Sequence, residues 1–180
     1  DRERLQAVEQ LGRVGGAGAV AELSGMLDGG RLYLRRAAVS ALGRIGGQEA
    51  TAQLISLVEQ NDPRLLSYAL DALGTAGGDE AVKVLTAEAE NRRARDRTTA
   101  ISALGEAGGD KAFKTLEKLL ADPMPSVQRA AINALGNLGS AQAKSRLMTI
   151  CQDGTRAQRE EAISALSSFS GDDVQMLLSG

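Results

Sequence analysis

The sequence predicts an all-α protein, namely a right-handed α-solenoid (an α-α superhelix) of about six stacked helix pairs. One pattern recurs every 31 residues along the 180-residue chain, and a repeat of this kind is typical of stacked helical units. Each copy carries two apolar stripes at helical spacing, with glycines between them. Because the chain has two Tyr, two Phe and no Trp, its core must consist of small aliphatic side chains, which suit closely packed helices.

Two leucine columns define the repeat. The first column is usually followed by glycine and consists of Leu11, Leu42, Leu73, Leu104, Leu135 and Leu166. The second column lies twelve residues later and consists of Leu23, Leu54, Leu85, Leu116, Leu147 and Leu178. No insertion interrupts the pattern. We therefore expect one array over residues 1–180, with units of approximately 1–31, 32–62, 63–93, 94–124, 125–155 and 156–180.

The second copy shows why each unit should be a pair of helices. Its first stripe lies on one face of a 3.6-residue helix and consists of Ala38, Val39, Leu42 and Ile45. Gly46 and Gly47 should end that helix in the left-handed conformation. The stripe of the second helix consists of Ala50, Leu54, Leu57 and Val58. One pair cannot bury both stripes alone, so we expect the units to stack into one continuous core.

Small residues and capping residues complete the predicted unit. An alanine stands four residues before each first-column leucine, and this column, together with the glycine after that leucine, should allow neighbouring helices to approach closely. The second helices should begin at N-cap aspartates, most clearly at Asp79, Asp110 and Asp172. Pro63 and Pro125 stand where a first helix should begin, since proline is well tolerated at that position.

The stretch RRAAVSALGRIGGQEATAQLISLV, from Arg35 to Val58, resembles the short HEAT-like repeats first associated with phycobilisome lyase subunits. The resemblance covers essentially the whole chain, although Ser167 and Ser170 replace two glycines in the sixth unit. It implies an α-solenoid that usually binds other proteins, without naming the partner. Some HEAT-like enzymes hold a di-iron centre with His–Glu pairs, and that activity is excluded because the chain has no His.

Composition excludes several other classes of function. The net charge of −2 gives no overall field that favours nucleic acid or a membrane surface, so we expect neither as a partner. Without His, the commonest metal ligand and general base are missing, and we expect no catalytic residue, metal or cofactor. The lone cysteine, Cys151, favours a reducing compartment such as the cytoplasm. A chain that starts at Asp1 without Met is expected to be a processed chain or an excised segment.

Most other candidate sites fall into repeat columns. The glycines Gly12, Gly15, Gly16 and Gly18 should form a turn between helices, because no strand precedes them. Cys151 shares a column with Leu27, Val58, Ala89 and Leu120, which favours a small buried side chain over a nucleophile. A further column consists of Arg4, Arg35, Arg97 and Arg159, with Leu66 and Gln128 in the other two units. We interpret these arginines as structural, with their aliphatic stems packed and their guanidinium groups paired to loop carboxylates such as Asp28, Asp122 or Asp153. The run Arg92, Arg93, Arg95 and Arg97 favours a solvated loop, since no aromatic residues accompany it.

The remaining candidate is the concave face, which we expect the second helices to line. The predicted partner-binding residues are Glu49, Gln53, Glu59, Glu80, Lys83, Lys111, Lys114, Lys118 and Arg146. This face would be acidic in its first half and basic in its second half. Such a groove would orient a partner of opposite charge order, whereas mixed charges that only keep the face soluble are the alternative.

These features lead to three functional hypotheses. The first is a non-enzymatic scaffold that binds a protein or peptide partner on the concave face. The second is a subunit of a bilin lyase or isomerase, which the resemblance alone suggests and which the scarcity of aromatic residues and the lack of His disfavour. The third is a structural spacer or self-associating segment, because Met176, Leu177 and Leu178 near the end of the chain lack an obvious polar cap. We expect a monomer or weak self-association.

Overall fold

The computed structural model describes residues 2–169 of the chain. Within this range the chain forms eleven α-helices and no strand: α1 (Arg2–Val14), α2 (Gly16–Gly25), α3 (Leu32–Ile45), α4 (Gly47–Gln60), α5 (Leu66–Ala76), α6 (Gly78–Glu90), α7 (Arg97–Ala107), α8 (Gly109–Leu119), α9 (Pro125–Leu138), α10 (Ala141–Asp153) and α11 (Arg156–Leu166). Units 1 to 5 are the successive pairs from α1 and α2 to α9 and α10, and α11 opens unit 6. We call the odd-numbered helices first helices and the even-numbered ones second helices. The predicted all-α solenoid is confirmed.

The two helices of units 1 to 4 are joined by a single glycine. In unit 2 this residue is Gly46, with φ 61 and ψ −157, and the next residue, Gly47, also has a positive φ of 76. Side chains rarely tolerate positive φ, which explains the pair of glycines. The positive φ was predicted, but ψ places Gly46 outside the left-handed helical region, so that detail of the prediction was wrong.

The predicted aspartate caps were also wrong. The caps of α6 and α8 are Gly77 and Gly108, and neither helix has a side-chain cap hydrogen bond. Asp79 and Asp110 lie instead in the first turns, where a negative charge complements the helix dipole. Asp172 lies outside the described residues. The one-residue turn explains the shift, because the helix begins before the aspartate is reached.

Side-chain caps occur at two later helices. The hydroxyl of Ser140 accepts a hydrogen bond from the Ala143 backbone N–H at the start of α10. Thr155 forms a capping box with Gln158 at the start of α11. Pro125 is the first residue of α9, as predicted, whereas Pro63 lies in a turn before α5, which begins at Leu66.

Neighbouring first helices pack through glycine and alanine. A Cβ added to Gly43 would lie 2.8 Å from the Ala72 carbonyl oxygen, and one added to Gly105 would lie 2.6 Å from the Ala134 carbonyl oxygen. The same contact joins Gly12 to Ala41, Gly74 to Ala103 and Gly136 to Ala165. The predicted close approach is confirmed, and its partner is the alanine just before the first-column leucine of the next unit. The second helices are spaced more widely.

The leucine columns form one continuous core. The fully buried members include Leu42, Leu73, Leu104, Leu135 and Leu166 in the first column and Leu23, Leu54, Leu85, Leu116 and Leu147 in the second. The alanine column is buried in every unit from Ala38 onward, but Ala7 is exposed because the described chain has no unit before the first. Leu178, like Met176 and Leu177, lies outside the described residues.

Candidate functional site

The exposed positions of the second helices form one surface. We call it the second-helix face, and it includes the predicted residues Glu49, Gln53, Glu59, Glu80, Lys83, Lys111, Lys114 and Lys118, all exposed, together with the half-buried Arg146. Around these residues the positions differ in charge and size from one unit to the next, although the buried columns beneath them repeat. The variation therefore lies at the surface and not in the packing.

Two ion pairs bridge units 3 and 4 at the point where the charge of the second helices changes sign. The Nζ of Lys111 on α8 lies 3.5 Å from Oδ1 of Asp79 on α6, and the Nζ of Lys118 lies 2.7 Å from Oε1 of Glu90. These lysines therefore face acidic side chains of the neighbouring helix. The pairs join acidic side chains of α6 to basic side chains of α8, so they partly neutralise the charge on each side of the expected change from an acidic to a basic half. Since the pairs are largely exposed, each stabilises the fold by at most about 1 kcal/mol.

Further pairs reduce the number of free charges. The Nε of Arg146 on α10 lies 2.7 Å from Oε1 of Glu117 on α8, and Lys83 lies 4.0 Å from Glu80 within α6. The residues of this face that form no hydrogen bond or ion pair with any side chain of residues 2–169 are Glu49, Gln53, Glu59 and Lys114. These four side chains remain available to a ligand.

The arginine column binds the end of one second helix to the next first helix. Arg97 is buried, its Nε donates to the Ala89 carbonyl at 2.6 Å, and one of its terminal nitrogens, Nη2, contacts Oδ2 of Asp122 at 2.6 Å. The hydrogen bond from this guanidinium lowers the pKa of the Asp122 carboxyl below its ordinary value. Arg35 repeats the arrangement, with its Nε donating to the Leu27 carbonyl at 2.6 Å.

The remaining arginines differ in what they contact. Arg35 lies 3.6 Å from a loop carboxylate, that of Asp62. Arg159 is exposed and donates to the Gly154 carbonyl at 3.1 Å, so its contact is to the backbone and not to Asp153. Arg4 is exposed on α1, because no second helix precedes it in the described chain. The packed arrangement is thus found inside the array and is lost at both of its ends.

A cavity of about 510 Å³ lies between units 2 and 3. We call it the unit 2–3 pocket. Its lining comprises Ile55, Val58, Glu59 and Asn61 from α4 and its end, Leu66 of α5, Val84, Ala87 and Glu88 of α6, and Asn91, Arg93, Ala94 and Arg95 of the following loop. The pocket joins an apolar wall to two carboxylates and two guanidinium groups. Sequence reasoning selected Glu59 but missed the pocket, which depends on how two units stack.

The lone cysteine and the glycine-rich stretch of the first unit pack or turn the chain. Cys151 is half-buried against the core, and burial raises the pKa of its thiol, which disfavours the nucleophilic thiolate form. Gly15 and Gly16 form the turn between α1 and α2. Residues 2–169 contain no group of three or more potential metal ligands. No helix within that range is long and apolar enough to cross a membrane.

The chain belongs to the HEAT-repeat family, whose model matches residues 27–104 and 89–167. A comparison of the sequence with curated proteins finds no match. The fold is similar to that in the solved complex of CpcE and CpcF of phycocyanin lyase from Nostoc sp. PCC7120, with a TM-score of 0.54 and 26% identity over 91% of this chain and 70% of that chain.

Two further solved structures show a more distant similarity. Human deoxyhypusine hydroxylase matches with a TM-score of 0.44 and 18% identity over 91% of this chain and 88% of that chain. A computationally designed armadillo repeat protein for modular peptide recognition matches with a TM-score of 0.45 and 19% identity, over 92% of each chain.

Proposed function

We propose that the chain is a non-enzymatic interaction module that binds a protein or peptide segment on the second-helix face. The observation that carries this proposal is the contrast between repeated buried columns and varied exposed positions. Inward-facing residues repeat because every unit must pack on the next. The exposed residues have no such constraint, and Glu49, Gln53, Glu59 and Lys114 have no partner among the described residues.

The chemistry of this face favours recognition over catalysis. The sequence contains no His, which is the side chain that most often transfers protons in enzymes. The carboxylates Glu49 and Glu59 are exposed, whereas catalytic acid–base groups usually lie in a cleft beside a specific charged partner. Polar side chains that surround a pocket with an apolar wall are instead typical of a binding surface.

Selection from a displayed library of random peptides tests the proposal. Selected peptides should bind the wild-type protein and should lose binding to a variant with Glu49→Lys, Glu59→Lys and Lys114→Glu, because this change alters the free charges of the second-helix face. None of these three residues takes part in an ion pair with another of residues 2–169, so the fold should be retained.

A variant of the first helices provides the control. Asp71→Lys, Glu106→Lys and Arg44→Glu change exposed residues of first helices by the same total charge. Peptides selected on the wild-type protein should bind this variant normally. Equal loss of binding in both variants would show that only net charge matters, and enrichment of no peptide at all would contradict the proposed function.

A bilin lyase subunit is the second candidate. The similarity to the complex of CpcE and CpcF of phycocyanin lyase, at 26% identity and a TM-score of 0.54, supports this alternative. Mixing the protein with phycocyanobilin and recording the absorption spectrum tests it. A shifted band that follows the protein through gel filtration would favour the lyase subunit, whereas an unchanged spectrum would leave the interaction module as the better account.

Self-association is the third candidate, and the first unit supports it. Ala7 is exposed in a column that is buried elsewhere, and Val14 at the end of α1 is 80% exposed. A second copy that stacked on α1 would cover these side chains. Light scattering at increasing protein concentration should reveal such a dimer, and a constant monomer mass would exclude it as the main role.

A further inference from the structure

Two breaks in the repeat meet in the unit 2–3 pocket. Leu66 occupies the arginine column, where Arg35 and Arg97 stand one unit earlier and later. Glu88 occupies a column whose other members are apolar: Met26, Leu57, Leu119 and Ile150. Both residues line the same cavity. Unit 3 has therefore lost an internal cation and gained a carboxylate at one place in the stack.

The arrangement around Arg97 shows what the pocket lacks. The guanidinium of Arg97 reaches the Ala89 carbonyl and the Asp122 carboxylate. The repeat places Val58, Leu66 and Asn91 at the corresponding positions one unit earlier, and all three line the pocket. With leucine in place of arginine, the space that a guanidinium fills elsewhere in the array is left open to solvent.

Both carboxylates of the pocket, Glu59 and Glu88, lack a hydrogen-bond or ion-pair partner among residues 2–169, and Glu88 is the less exposed of the two. Glu88 is half-buried and forms no hydrogen bond or ion pair with the residues that the structure describes. A carboxylate that is partly removed from water is unfavourable until a cation or a donor faces it. Arg93 and Arg95 are exposed at the loop, where water solvates them at little cost. A cation bound in the pocket would therefore be more favourable than a bound anion.

We propose that the unit 2–3 pocket binds an arginine or lysine side chain of a peptide partner. The aliphatic stem would lie along Ile55 and Val84, and the charged head would meet Glu88, with Glu59 beside it. Arg93 and Arg95 would favour a partner that carries an acidic residue next to the basic one. This inference rests on the proposed function, since it names the chemistry of the partner that the second-helix face binds.

Peptides selected from the displayed library test the inference through their sequences and through two substitutions. We expect them to share a basic residue at one fixed position, with an acidic residue nearby. Glu88→Leu restores the residue type of Leu57 and Leu119, so it should fold, and it should weaken binding roughly tenfold or more through loss of a charge-assisted contact. Leu66→Arg should also weaken binding, because an internal guanidinium would occupy the pocket. Glu106→Leu removes an exposed carboxylate of the first helix α7, away from both the pocket and the second-helix face, and should change affinity less than twofold.

The outcomes separate this inference from the proposed function. Selected peptides that show no preference for arginine or lysine, or that bind the Glu88→Leu and wild-type proteins equally, would overturn the pocket assignment and leave recognition on the second-helix face standing. If peptides with a basic residue bind but the Glu106→Leu control loses as much affinity as Glu88→Leu, the preference arises from the general negative charge of the protein, and the pocket assignment is again wrong. If the selection enriches no peptide, both the pocket assignment and the proposed function are wrong.

Discussion

The contact between first helices gives a sharp prediction for Gly105→Ala. The new Cβ would lie 2.6 Å from the Ala134 carbonyl oxygen and 2.9 Å from its Cα, whereas ordinary contacts begin at 3.4 Å. Both neighbours are backbone atoms of α9, so no side-chain rotation relieves the clash. The two helices must separate by several tenths of an ångström, and the adjacent leucines lose packing as a result.

The expected magnitude follows from two opposing effects. Overpacking of a buried contact destabilises a protein by about 1–3 kcal/mol. Replacing glycine with alanine within a helix stabilises it by up to about 1 kcal/mol. We therefore expect a net loss of about 1–2 kcal/mol, which lowers the melting temperature by roughly 2–8 °C for a chain of this length.

Two matched variants give the prediction its control. Gly18→Ala lies on an exposed helical surface with no atom within 4 Å of the added Cβ, so it should raise the melting temperature. Gly136→Ala meets the Ala165 methyl at 3.0 Å and its carbonyl oxygen at 3.2 Å, so it should cost less than Gly105→Ala. Thermal unfolding followed by circular dichroism measures all three. A Gly105→Ala protein that is as stable as the Gly18→Ala protein would refute the close packing of α7 and α9.

Three further predictions concern the internal polar contacts. Arg97→Leu should destabilise the fold by about 3 kcal/mol, because it leaves the Asp122 carboxylate buried and unpaired. Adding Asp122→Asn should recover part of this loss, because the double variant has the same residue pair as Leu66 and Asn91 of unit 3. Urea unfolding of the single and double variants measures the difference. The depressed pKa of Asp122 means that its pairing stabilises the fold above about pH 4 and is lost as the pH falls below that value, so the melting temperature of Asp122→Asn should vary less than that of wild type between about pH 4 and 2. Thr155→Ala should lower the stability of α11 by about 1 kcal/mol, because it removes the cap of this helix. Amide exchange in α11 should then be faster than in the wild-type protein, while exchange in α9 stays the same. Unchanged exchange in α11 would contradict the role of the cap.

Much of the fold could be predicted because the repeat presents the same physical requirement six times. The columns at Leu42 and Leu54 mark the two buried stripes, and the glycine after Leu42 marks the close approach of first helices. The caps could not be predicted in the same way. Asp79 follows Gly77 and Gly78 closely, and only the one-residue turn decides whether the helix begins before or at the aspartate.

The candidate site was less accessible to sequence reasoning, because it depends on contacts between units. The charges of Lys111 and Lys118 suggested a basic half of a groove, yet their carboxylate partners stand on the preceding helix, 32 and 28 residues earlier. The breaks at Leu66 and Glu88 were visible in the sequence as departures from their columns. That they line one pocket followed only from the stacking of α4 on α6.

Hydrogen exchange with and without a selected peptide tests the central claim most directly. If the second-helix face is the binding surface and the unit 2–3 pocket is its anchor, bound peptide should slow amide exchange in the C-terminal halves of α4 and α6 and in the loop at residues 91–95. Exchange in the first helices α3, α5 and α7 should remain unchanged. Protection confined to the first helices, or spread evenly along the array, would contradict the assignment of recognition to the second-helix face.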